Sequence, residues 1–118
     1  MNLAELFRHE TDLQSLPAGQ ALFKEGEPGN LMYVLMSGSA DIIVHNRVVE
    51  SVEAGAIIGE MAMIDEGARS ATIIAKSDCK LLAIDHKRFN FLIQQTPNFA
   101  IHVMRVIATR LRRTDSLL

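Results

Sequence analysis

Gly59-Glu60-Met61-Ala62-Met63-Ile64-Asp65-Glu66-Gly67-Ala68-Arg69-Ser70-Ala71-Thr72 is the stretch on which the reading of this chain turns. It opens with a glycine and an acid, runs through four apolar residues, bends at Glu66-Gly67 and returns to apolar sequence beside one arginine. A glycine lets backbone N–H groups at a short helix N-terminus approach an anion closely. The arginine adds a planar charged fork, and the acid can accept from a sugar hydroxyl. Read alone, the stretch is either a site for a small hydroxyl-bearing anion or a surface turn with a solvated Glu and Arg. Its surroundings decide between them.

Upstream, short apolar runs are separated by turn residues at regular intervals. Leu13 to Leu16 is ambiguous and closes at the turn Pro17-Ala18-Gly19. The apolar runs begin after Gln20, where Ala21-Leu22-Phe23 ends at Glu25-Gly26-Glu27-Pro28-Gly29-Asn30, and Pro28-Gly29 suits the centre of a type II turn. Leu31 to Met36, Ala40 to Val44, Val48 to Val52 and Ala56 to Ile58 follow, with His45-Asn46-Arg47 as a hairpin turn. Downstream come Ala71 to Ala75 and Cys79 to Ile84. Short strands with regular turns predict a sandwich or barrel of the jelly-roll kind.

Helical spacing frames this β region. Leu3, Leu6 and Phe7 predict a short amphipathic helix over Asn2 to His9. Asp85 is a good N-cap for a helix from His86 to Gln95, and Thr96-Pro97 starts another. The last helix carries Ala100, Met104, Ile107, Leu111, Thr114 and Leu118 at alternating steps of four and three, the spacing of a coiled-coil seam. Part of that stripe is expected on the β-core and part against a partner subunit.

At 118 residues, 48% hydrophobic and 22% charged, the chain reads as one folded domain over 1–118. The β-roll is expected over about 11–85 and the C-terminal helices over about 86–116. A net charge of −2 gives no bulk reason for a nucleic-acid partner. The single cysteine, Cys79, excludes an internal disulfide and a Cys-based zinc site and is expected as a buried strand residue. No apolar run reaches the length of a membrane span, so a soluble, cytoplasmic setting is expected. His9, His45, His86 and His102 are scattered over turns and helices, so neither a metal site nor a catalytic constellation is legible.

Two blocks together resemble the cyclic nucleotide-binding domain. Phe23-Lys24-Glu25-Gly26-Glu27-Pro28-Gly29-Asn30-Leu31-Met32-Tyr33-Val34-Leu35-Met36-Ser37-Gly38 is similar to that family's Glu-Gly-Glu/Asp-Pro-Gly block with its Tyr-containing strand. Gly59-Glu60-x-Ala62 with Arg69-Ser70-Ala71-Thr72 is similar to its phosphate-binding cassette, with nine positions from Glu60 to Arg69. The resemblance implies an α+β, mainly β fold: a double-stranded β-helix, or jelly-roll-like β-roll, with an N-terminal helix, a short cassette helix and C-terminal helices. It also implies roles. Arg69 meets the cyclic phosphate, and Glu60 accepts from the ribose 2′-hydroxyl. Backbone groups around Gly59, Met61, Ala62, Ser70 and Ala71, with the Ser70 hydroxyl, complete the cradle. Val49, Ile58 and Thr72 line the apolar and sugar side, while Arg110 and Thr114 close over the base from the last helix.

The expected function is therefore a cyclic nucleotide sensor, with cAMP as ligand and cGMP as the alternative, and with no cofactor, metal or catalytic residue. Occupancy would pass through the C-terminal helix to a protein effector or to a second copy in a homodimer. Relatives that act as transcription factors continue into a helix-turn-helix, for which residues up to Leu118 leave no room. A non-binding interaction or dimerisation module on the same fold is the rival reading. Such members lose the Arg or the Glu, and this chain keeps both.

Overall fold

The computed structural model describes residues 1–116, with side chains described through Arg113. It is built outward from β3 (Met32–Ser37), whose unbroken apolar run is explained by cover on both faces. Side chains alternate across a strand. Met32 and Val34 accordingly enter a core shared with the helices, while Tyr33 and Leu35 enter the core between the two sheets. The neighbouring β8 (Cys79–Ile84) divides in the same way, with Leu82 and Ile84 toward the helices and Cys79 and Leu81 toward the other sheet.

Among the described residues, eight antiparallel strands form two four-stranded sheets. One has the order β1-β8-β3-β6, with β1 at Gln14–Leu16 and β6 at Ile57–Ile58. The other has the order β2-β7-β4-β5, with β2 at Ala21–Phe23, β4 at Ser39–Val44, β5 at Arg47–Glu53 and β7 at Thr72–Ala75. This second sheet is buried on its inner face, so β4 reads as alternating, with Ala40 and Ile42 inward. This is the jelly-roll-like β-roll that the strand spacing predicted.

Two backbone features shape β5. The β4–β5 hairpin turns on His45 and Asn46, at φ 51° and 65°, the positive pair that a two-residue turn of type I′ requires. Just beyond the turn the register slips: Ile42 pairs with Glu50 but Ile43 pairs with Val48, leaving Val49 as an extra residue on β5. A bulge of this kind re-aims neighbouring side chains.

The helices close the open face of the first sheet. α1 (Leu3–Leu6) is shorter than the predicted Asn2 to His9, with Asn2 Oδ1 accepting from the Glu5 N–H at 3.2 Å. The cassette helix α2 covers Met61–Ile64. Asp85 caps α3 (His86–Gln95) as expected, its Oδ1 accepting from the Arg88 N–H at 2.8 Å. α4 spans Pro97–Ser116 and begins on the expected proline. Phe99 of α4 is fully buried and makes edge contacts with Phe7 at 6.5 Å and Phe89 at 5.9 Å, which ties three helices to the sheet.

One expectation is corrected. Gly29 is not the positive-φ residue of a type II turn; Gly26 takes that role at φ 90°. The α4 stripe meets the core only in part, as expected. Phe99 and Val103 are buried, with Val106 and Ile107 packed against the same core, while Met104 and Leu111 are exposed. The helix is turned by about one position relative to a single 4-3 seam. Of that stripe, the Thr114 side chain and Leu118 lie outside the described residues. No described helix is long and apolar enough to cross a membrane.

Candidate ligand-binding site

The upstream block builds a seat for Arg69. The Gly26 N–H donates to Arg69 O and the Arg69 N–H donates to Glu27 O, both at 2.8 Å, so the loop and the arginine backbone are tied as a short bridge. The Arg69 guanidinium lies over the Phe23 ring, with Cζ 3.9 Å from its centroid. Gly29 and Gly59 flank it. A Cβ on Gly29 would sit 2.1 Å from Arg69 Nε, and one on Gly59 would sit 2.8 Å from Nη1. The Glu-Gly-Glu-Pro-Gly block and the cassette are therefore two halves of one structure, which explains why they occur together.

That seat holds a charge that no ion pair among the described residues answers. Arg69 is only 9% exposed, and its Nε is buried with no hydrogen-bond partner. The ion pairs among the described residues leave it out. Burial pulls its pKa below the ordinary arginine value, opposed by the neighbouring Tyr33 hydroxyl and Glu27 carboxylate. A buried cation without an anion costs several kcal/mol, of order 3 to 5. Buried polar groups are nearly always satisfied, so the exception calls for an explanation. An anionic ligand supplies one.

The cavity that Arg69 helps to wall has a volume of about 180 Å³. Eight of the residues expected at the site line it: Gly59, Glu60, Met61, Ala62, Arg69, Ser70, Ala71 and Arg110. Phe23 and Ile42 complete its apolar side. α2 opens on this wall, and the first-turn amides of a helix have no intrahelical acceptor. A second hollow of about 310 Å³ adjoins it, with Val49, Val44, Ile107 and Leu111 among its walls.

Glu60 is 5% exposed and does not cap α2 with its side chain. Its Oε1 instead accepts from Arg110 Nη1 at 2.8 Å. Arg110 donates its other groups to Glu50 Oε1 at 3.0 Å and to the Ile57 carbonyl at 2.9 Å. Glu50 Oε1 also pairs with Arg113 Nη1 at 2.9 Å. Burial alone would lower the Arg110 pKa, but Glu60 and Glu50 outweigh it and raise the value, so the residue is firmly charged. α4 is thus fastened to the rim of the cavity through the acid expected to hold a ribose.

Two expected residues lie elsewhere. Ile58 is fully buried in the core between the sheets, because β6 sends Ile57 toward the helices and Ile58 inward. Thr72 Oγ1 accepts from the Glu25 N–H at 2.9 Å, which again fastens the upstream block to the cassette. Thr114 is on α4, but its side chain is outside those described. The sequence reading missed Glu50, whose only signal is the parity change at the bulge, and it missed Phe23 as the platform under Arg69. Among the described residues, no cluster of His, Cys, Asp or Glu could hold a metal ion.

Comparison with known proteins identifies the family. The sequence model of the family described as "Cyclic nucleotide-binding domain" matches residues 13–96. The chain is 31% identical over 117 residues to the "cAMP-activated global transcriptional regulator CRP" of Pasteurella multocida, covering 94% of this chain and 56% of that one. It spans about half the length of the curated regulators it matches. The solved Thermus thermophilus catabolite activator protein superposes with a TM-score of 0.76 at 29% identity, over 93% of this chain and 59% of that one. A chain solved in work on a cyclic-GMP-dependent signalling pathway in bacterial phytopathogenesis gives 0.72 at 29% identity, over 84% of this chain and 82% of that one.

Proposed function

The chain belongs to the cyclic nucleotide-binding domain family, and from that premise we propose that it is a sensor binding one cyclic nucleotide, cAMP in preference to cGMP, in the cavity around Arg69. The observation that carries this reading is the buried guanidinium of Arg69, held between Phe23, Gly29 and Gly59 with no anion of its own. A cyclic phosphate carries one negative charge and bare oxygens, which match that fork and the α2 amides. Ser70 adds a hydroxyl at the same end, and Glu60 offers its carboxylate to the ribose 2′-hydroxyl. In this reading the ligand is bound and not turned over.

In this reading residues 1–118 act as a single domain in a soluble, cytoplasmic setting. Occupancy passes to α4 because the ribose must share Glu60 with Arg110, so a bound nucleotide changes how α4 is held. The exposed apolar side chains Ile101, Met104 and Leu111, with Ala108 between the last two, repeat at steps of three and four along α4. That is the spacing of a two-helix seam, and it supports a second copy of this chain, or an effector helix, as the receiver. The whole-length regulators it matches act on transcription by name, and that activity is not carried over to this chain.

A calorimetric titration with cAMP and cGMP side by side tests the proposal. Saturation at one nucleotide per chain, tighter for cAMP, is the expected result. No heat and no thermal shift with either at millimolar ligand would leave a non-binding interaction module on the same fold.

A further inference from the structure

Glu50 has no task in that account, yet the fold goes out of its way to place it. In a regular strand Val49 and Glu50 would face opposite sides of the sheet. The extra residue at Val49 breaks the alternation, and both side chains line the 310 Å³ hollow. That hollow shares Ile42, Glu60, Met61, Ser70, Ala71 and Arg110 with the Arg69 cavity, so the two are one elongated space. With the phosphate at Arg69 and the ribose at Glu60, the base falls in the half that Glu50 lines.

The charges there are nearly settled without the ligand. Glu50 and Glu60 answer Arg110 and Arg113, which leaves Arg69 for the phosphate. Both guanidinium contacts of Glu50 converge on Oε1. The side-chain hydrogen bond that Glu50 makes among the described residues uses Oε1, not its second oxygen, Oε2. The Glu50 side chain is only 20% exposed and stands among Ile42, Val44, Val49, Ile107 and Leu111 on the wall of that hollow.

We propose that Glu50 reads the base: its Oε2 accepts a hydrogen bond from the exocyclic 6-amino group of adenine, which makes Glu50 the specificity determinant at the far end of the pocket. The proposal rests on the cyclic nucleotide reading of the Arg69 cavity. A carboxylate only accepts, so it rewards an N–H at that position and opposes the carbonyl oxygen that guanine carries there. Arg110 and Arg113 fix the carboxylate through Oε1, and the other oxygen serves the ligand.

The test compares cAMP with purine riboside 3′,5′-cyclic monophosphate, which has the same phosphate, ribose and rings but no 6-amino group. Wild type, Glu50→Gln and Glu50→Ala are each titrated with both ligands, and each variant is melted alone to check its fold. Wild type is expected to prefer cAMP by about tenfold, the size of one hydrogen bond to a charged group. The preference should drop to about twofold or less in Glu50→Ala and lie between in Glu50→Gln, which keeps the shape and a neutral acceptor. Equal weakening of both ligands, with the preference kept, would mean that Glu50 only steadies Arg110 and would overturn the proposal. Wild-type binding without a preference would overturn it too, while leaving the Arg69 site intact. Failure of wild type to bind either ligand would overturn both.

Discussion

Gly29→Ala is the substitution that separates the seat of Arg69 from the stability of the domain. A Cβ at Gly29 would lie 2.1 Å from Arg69 Nε, 2.4 Å from Cζ and 2.5 Å from Nη2, so the guanidinium must leave its place over Phe23. The Gly29 backbone is not in the positive-φ region, so alanine fits the chain itself. Losing the cation–π contact costs about 0.5 to 2 kcal/mol. Reduced freedom of the unfolded chain returns about 0.4 to 1 kcal/mol. The ligand-free melt should therefore shift by no more than about 1.6 kcal/mol.

Binding should suffer far more. Removing one partner of a desolvated charge pair costs about 2 to 5 kcal/mol. A displaced but present arginine belongs at the lower end, about 2 kcal/mol, or roughly 30-fold in affinity. The same loss is readable by thermal shift. At a cAMP concentration about 100 times the wild-type Kd, ligand stabilises wild type by about 2.7 kcal/mol. The variant, at about three times its own Kd, would gain only about 0.9 kcal/mol. Wild-type affinity in Gly29→Ala, with the melt unchanged, would refute the claim that the upstream block exists to seat Arg69.

Three other outcomes rest on the same geometry. Phe99→Ala removes the ring on which α1, α3 and β3 converge and should cost about 3 to 5 kcal/mol in denaturant unfolding; a loss under about 1 kcal/mol would mean that the helices dock independently. Glu60→Gln should weaken cAMP by about five- to tenfold and 2′-deoxy-cAMP by much less; an equal loss for both would put the ribose elsewhere. His102 carries a pKa below its ordinary 6.5, first through burial and then through the N-terminal charge and Arg105. The unfolded chain therefore takes up that proton first as pH falls, and its contribution to stability is complete above 6.5 and lost below it. Between about pH 7.5 and 5.5, His102→Gln should lose less melting temperature than wild type; identical slopes would contradict the assignment.

The strands, the capped helices and the two blocks were legible because each is encoded locally. Apolar runs end at turn residues, Asp85 precedes a helical period, and Gly59 to Thr72 carries its own charges. What escaped depends on distances between separate segments. Gly29 reads as a turn residue in sequence, yet its missing side chain matters because Arg69, forty residues away, needs the space. Ile58 sits next to the cassette in sequence, but strand alternation turns it into the inter-sheet core. Val49 and Glu50 could not both be assigned to one face without knowledge of the bulge. The α4 stripe combined core and surface positions because a 4-3 count cannot say where a helix touches its sheet. Arg110 was expected at the base by resemblance, and its tie to Glu60 and Glu50 across the pocket rim is a tertiary contact with no local sequence signal.

The most direct test is a parallel calorimetric titration of wild type and Arg69→Ala with cAMP. Arg69 as the phosphate partner predicts one cAMP per wild-type chain and a loss of about 2 to 5 kcal/mol in the variant, roughly one and a half to three and a half orders of magnitude. A loss smaller than about threefold, which is under 1 kcal/mol, would place the phosphate somewhere other than the Arg69 cavity.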